Sequence, residues 1–177
     1  MKTFVLLLCL SLAGAAAAED LTTNKFFKAL EGKWVGKGDF TNTNDDPQLA
    51  RNKIDAKFSE DGAMFTIKGA LKLGEDGTAF ADTPFEYKWE IIRSAVEGLY
   101  AGRFIILSGD GGETDYEVAI DETNLIARLN QISGPAGQNR FEITQKFVEE
   151  NYIVEITQIN SDGNTVSTGE IKFERDD

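Results

Sequence analysis

The chain has 177 residues, 41% of them hydrophobic and 27% charged, with only 3 prolines beside 17 glycines; this fits one globular domain and excludes disordered and collagen-like chains. Asp and Glu number 30 against 18 Lys and Arg, and the resulting net charge of −12 predicts repulsion from nucleic acid and anionic lipid. There is no histidine, which excludes histidine-based triads, histidine metal sites and the ordinary histidine-ligated haem.

Residues 1–18 read as a secretory signal peptide: Lys2, an apolar run over 4–12, and the small residues Ala16 and Ala18 before the cut. The run is too short for a retained membrane-spanning helix. Cleavage after Ala18 removes Lys2, takes the net charge to −13, and leaves residues 19–177 as the predicted single domain. Cys9 is the sole cysteine and lies inside the leader; Leu6, Leu7 and Leu8 before it lack the small residue of a lipoprotein-processing site. The expected product is a soluble, cysteine-free protein, periplasmic or secreted, with no disulfide, thiol catalysis or thiolate metal site.

Residues 21–30 predict a short helix with an apolar face of Phe26, Phe27 and Leu30, capped by Thr22 or Thr23 and ended by Gly32. The segment Gly32-Lys33-Trp34-Val35-Gly36-Lys37-Gly38 follows. From there the pattern alternates with period two. The clearest strands are 53–58, 63–73, 85–93 and 113–121; in the third, Phe85, Tyr87, Trp89 and Ile91 oppose Glu86, Lys88 and Glu90. Further strands are predicted at 33–40, 99–108, 125–132, 141–148, 152–160 and 165–174. Residues 60–62, 75–77, 109–112 and 161–164 carry hairpin-turn chemistry. About ten strands joined by short turns predict an all-β, closed up-and-down antiparallel barrel, because an open sheet of that size leaves two exposed edges. Longer links are expected at 41–51 and 133–140, at the barrel ends. Charges opposite the aromatics argue against an outer-membrane barrel, so no membrane insertion is expected.

The tryptophan set among glycines after a short helix resembles the opening of the calycin superfamily of lipocalin-like barrels. The form Gly32-x-Trp34-x-Gly36-x-Gly38 is most similar to nitrobindin-type, haem-binding-like ten-stranded barrels and to secreted bacterial lipocalin-like families. The resemblance implies that a late basic residue, here Arg175, packs across Trp34 and closes one end; a guanidinium over an indole is a favourable cation–π contact in its own right. It also implies a haem-ligating histidine near the C-terminus, and this chain has none, so neither haem nor any other cofactor is expected.

Inward parity brings Tyr87, Trp89, Tyr116, Gln131, Gln145 and Gln158 to a mostly apolar lining, as in small-molecule sites. Arg103 joins them if Ala101, Ile105 and Leu107 face inward, and would then favour a carboxylate or phosphate on the ligand; both faces of that strand are apolar, so the opposite orientation, with Tyr100, Phe104 and Ile106 inside, stays open. Asp110, Glu113 and Asp115, like Asn42, Asn44, Asp45 and Asp46, fail the EF-hand spacing and read as solvated turn residues, so no metal site is expected. The leading expectation is a binding protein for a small hydrophobic or amphipathic ligand. Its alternatives are a ligandless envelope or interaction barrel, and a cofactor-free enzyme using a cavity tyrosine or a carboxylate, with Glu170 the first candidate.

Overall fold

The computed structural model describes residues 20–42, 47–75, 83–133 and 139–176. The leader, the 75–77 turn beyond Glu75, and most of the 133–140 link lie outside the described residues.

A 3-10 turn at Leu21–Thr23 leads into a short helix, α1 (Lys25–Leu30). Ten strands follow: β1 (Gly32–Asn42), β2 (Gln48–Phe58), β3 (Met64–Glu75), β4 (Phe85–Arg93), β5 (Leu99–Ile106), β6 (Gly112–Asp121), β7 (Ile126–Gln131), β8 (Arg140–Val148), β9 (Asn151–Ile159) and β10 (Thr165–Arg175). Each strand pairs antiparallel with the next, and β1 pairs with β10, from Trp34 opposite Arg175 to Asn42 opposite Ser167. The ring is closed, so no strand is left as an edge. The expected all-β up-and-down barrel is therefore the fold. Gly62, Gly109 and Gly163 adopt positive φ in three of the predicted hairpin turns.

Two local expectations are corrected. The helix does not run unbroken from residue 21 and is not capped by Thr22 or Thr23. Asn24 takes an extended conformation and its side chain accepts from the Phe26 and Phe27 amides, at 2.9 and 3.2 Å. Its Nδ2 also donates to the Tyr100 hydroxyl at 2.8 Å, so one residue caps α1 and ties it to β5. The 41–51 link is mostly strand: Phe40 pairs with Gln48 and Lys37 with Arg51, because Ala50 and Asn52 continue the inward parity of Ile54.

α1 fills one end of the barrel. Phe26, Phe27 and Leu30 are fully buried, each worth about 1.5–3 kcal/mol in removed apolar surface. Phe27 stacks on Phe65 at 4.7 Å and meets Tyr100 edge-on at 5.4 Å; Phe26 meets Phe147 at 5.8 Å. The last carbonyls of this helix, which have no partner within it, are taken by the barrel. Trp34 Nε1 donates to the Leu30 carbonyl at 2.8 Å, while Arg175 donates to those of Ala29, at 2.8 Å, and Glu31. The Arg175 guanidinium lies 4.1 Å from the Trp34 ring centroid. A Cβ at Gly38 would overlap the Glu170 carbonyl, so glycine lets β10 close on β1 there.

Candidate functional site

With α1 at one end, the inward side chains of all ten strands enclose a cavity of about 630 Å³. Its lining reaches Phe40, Leu73, Phe85 and Gln158 at the opposite end, where Leu73 and Phe85 are each 37% exposed and form an apolar rim. Such a volume suits a drug-sized organic molecule.

The β4–β6 wall is aromatic. Tyr87 and Phe104 have ring centroids 5.4 Å apart, Phe104 and Trp89 4.9 Å, Trp89 and Tyr116 4.8 Å. Tyr87 lies across β3: a Cβ at Gly69 would overlap its ring, so the absence of a side chain there seats the aromatic. The β7–β9 wall is aliphatic, with Ile143, Val154 and Ile156 beside glutamines.

The polar groups of the lining differ in what they already hold. Gln131 uses both ends of its amide on the protein, donating to the Ser133 carbonyl at 2.7 Å and accepting from the Phe141 amide at 2.9 Å. It joins β7 to β8 and has little left for a ligand. Gln158 lies half-buried toward the mouth, and Gln145 is buried on β8. Asn52 on β2 donates to the Tyr87 hydroxyl at 2.7 Å. Burial pushes the Tyr87 phenol up to about 12, against the lowering effect of the Asn52 bond, and burial alone takes Tyr116 to about 12. Tyr152 is raised well above its ordinary value by burial, with a smaller contribution from Tyr87. These hydroxyls are neutral near physiological pH, so they serve as hydrogen-bonding groups and not as bases.

Six of the residues expected at the lining are there: Tyr87, Trp89, Tyr116, Gln131, Gln145 and Gln158. Arg103 is not, which corrects its inward placement. Tyr100, Gly102, Phe104 and Ile106 face inward on β5, and Arg103 points to solvent, its Nε 3.2 Å from Asp115 and its Nη1 3.8 Å from Glu113. Two carboxylates on β6 and the place Phe104 takes in the aromatic wall decide the orientation. The carboxylate- or phosphate-bearing ligand inferred from an inward Arg103 loses its basis: among the described lining residues there is no Lys or Arg, and Glu113 is the one charged side chain. Glu170 is exposed on the outer face of β10, so the carboxylate first considered for catalysis does not reach the cavity. Among the described residues no three His, Cys, Asp or Glu side chains gather as a metal site would require.

Asn52 is absent from the expected lining, and Phe104 belongs to it only in the second of the two orientations left open for β5. Two-residue stepping back from Ile54 reaches Asn52, but the polar run around it read as a link. Phe104 was hidden by the double apolar face of β5.

No protein-family model matches the chain and no curated protein matches it in sequence. Solved structures do match in fold. The S-type phycobiliprotein lyase CPES from Guillardia theta superposes with a TM-score of 0.61 at 11% identity, over 88% of this chain and 93% of that one. A protein of unknown function from the DUF3598 family of Nostoc punctiforme superposes with a TM-score of 0.54 at 13% identity, over 92% of this chain; this chain spans 53% of its length. These likenesses are ones of fold, in keeping with the closed ten-strand ring.

Proposed function

We propose that this protein is an exported binding protein that holds one small hydrophobic or amphipathic molecule, without haem, inside its barrel. The observation that carries the reading is the aromatic-walled cavity of about 630 Å³ with an apolar rim. A ligandless barrel of this kind would be expected to fill its interior with side chains. The likeness in fold to a phycobiliprotein lyase supports the barrel on which the reading rests. The closer likeness to nitrobindin-type barrels rests on residues 32–38 alone. The histidine that would bind haem iron has no counterpart here. Export is supported by the leader pattern of residues 1–18, which makes residues 19–177 the working domain.

Two measurements test the reading. The purified protein is titrated with N-phenyl-1-naphthylamine, a neutral fluorescent probe, while native mass spectrometry looks for a co-purified ligand. Saturable binding of one probe per chain, with quenching of Trp89, is expected. No probe binding together with no retained ligand would refute it. N-terminal sequencing of the exported protein should start at Glu19; a start far from there would remove the case for export by this leader.

A further inference from the structure

Two amides in the cavity wall have hydrogen-bonding capacity that the protein does not use. Asn52 is 6% exposed and Gln145 4%. Asn52 Nδ2 donates to Tyr87, but its Oδ1 accepts nothing. The Gln145 side chain makes no hydrogen bond to any described residue, and its Oε1 is buried without a donor. Turning either amide end for end exchanges the idle group without supplying a partner. A buried polar group left in this state is costly, and most proteins remove it by pairing or by an apolar substitution. Here the two residues that carry such groups line one cavity, on strands four apart one way around the ring and six apart the other.

The surroundings limit what could satisfy them. No described cationic side chain lines the cavity, the one charged lining residue is Glu113, and the whole chain carries a net −12. A ligand carboxylate would enter without a counter-charge. The rings of Tyr87, Phe104, Trp89 and Tyr116 form a continuous wall suited to another aromatic surface. We propose that the cavity selects an uncharged aromatic molecule bearing amide or hydroxyl groups, bound through Asn52–Tyr87 and Gln145, and rejects the corresponding carboxylate. This rests on the binding reading above and gives it a ligand class.

Three probes share one ring system: naphthalene, 2-naphthamide and 2-naphthoate. Each is titrated into the protein at neutral pH, with Trp89 emission as the signal. The amide should bind roughly tenfold more tightly than the carboxylate, and more tightly than the hydrocarbon. Gln145→Met and Asn52→Leu supply the second arm. At least one of them should weaken 2-naphthamide roughly tenfold while leaving naphthalene unchanged. Gln145→Met should also keep or raise the thermal midpoint, because it removes an unpaired amide and keeps the volume; a merely structural glutamine would lower it. Naphthalene binding with equal or tighter 2-naphthoate, or with 2-naphthamide unaffected in both variants, overturns the inference and leaves the binding reading standing. Failure of all three probes overturns both.

Discussion

The Arg175 side chain performs two tasks at once. It covers the Trp34 indole and it supplies donors to the carbonyls of Ala29 and Glu31 at the end of α1. A cation–π contact alone accounts for the first task; the second makes the pair a C-terminal cap for the helix that fills the barrel end. Arg175→Ala should therefore cost about 2 kcal/mol in urea unfolding, with the Trp34 emission shifted to the red. Arg175→Lys should recover less than half of that, since an ammonium lacks the planar fork that reaches two carbonyls while stacking. Full recovery by lysine would mean that charge alone matters there. The pairing of Arg175 with Trp34 follows from the resemblance carried by residues 32–38, whereas the two carbonyls do not, because nothing in a sequence marks where a helix end will stop relative to a distant strand. The same limit governs Arg103: the acids that hold it outside, Asp115 and Glu113, lie on β6, and alternation within β5 carries no information about them.

At the scale of elements, legibility tracks how unequal the two faces of a strand are. β4 alternates aromatics with charges and its bounds, Phe85–Arg93, were readable to the residue. β1 and β2 extend past their readable parts because their ends pair Phe40 with Gln48 and Lys37 with Arg51, a register that polar sequence does not announce. That register has an electrostatic consequence which net charge conceals. Lys172 on β10 stands opposite Lys37 on β1, Lys37 opposite Arg51 on β2, and Arg51 opposite Lys72 on β3. An acidic protein thus carries a cationic row across four neighbouring strands. Like charges directly opposite destabilise a pair by a fraction of a kcal/mol, and opposite charges stabilise it comparably. Lys37→Glu, an exposed change that puts a carboxylate opposite Lys172, is expected to raise stability by about 0.2–1 kcal/mol at low salt and by less at high salt. Denaturant midpoints at two ionic strengths check this; a destabilised variant at low salt would show that the row is balanced by other charges.

For the molecule as a whole, the two ends of the barrel respond to opposite ends of the pH scale. At the helix-filled end, Asp20, Asp61 and Asp121 accept hydrogen bonds within their turns, first from Thr22, Ser59 and Asn124 respectively, and their carboxyls are held below the ordinary 3.8. Lowered values stabilise the fold above 3.8, and that contribution disappears as pH falls through them. The cavity works the other way. Tyr87 and Tyr116 are raised from 10 to about 12 by burial and Tyr152 is raised well above its ordinary value, so the folded state keeps protons that the unfolded chain releases. Their contribution is complete below pH 10 and is lost as pH climbs toward 12. Between these windows the chain has no histidine to titrate, and stability should be nearly level. An absorbance titration of the phenols, read beside near-ultraviolet circular dichroism, should therefore show Tyr87, Tyr116 and Tyr152 ionising only as tertiary structure collapses, in one cooperative step above pH 10. Saturation with 2-naphthamide should move that step to higher pH, because a ligand held by the native cavity stabilises the state that keeps the phenols protonated. Gradual ionisation of these three tyrosines with the near-ultraviolet signal intact would instead mean that water and hydroxide reach the cavity wall freely, and that the interior is too wet to discriminate between a neutral head group and a carboxylate.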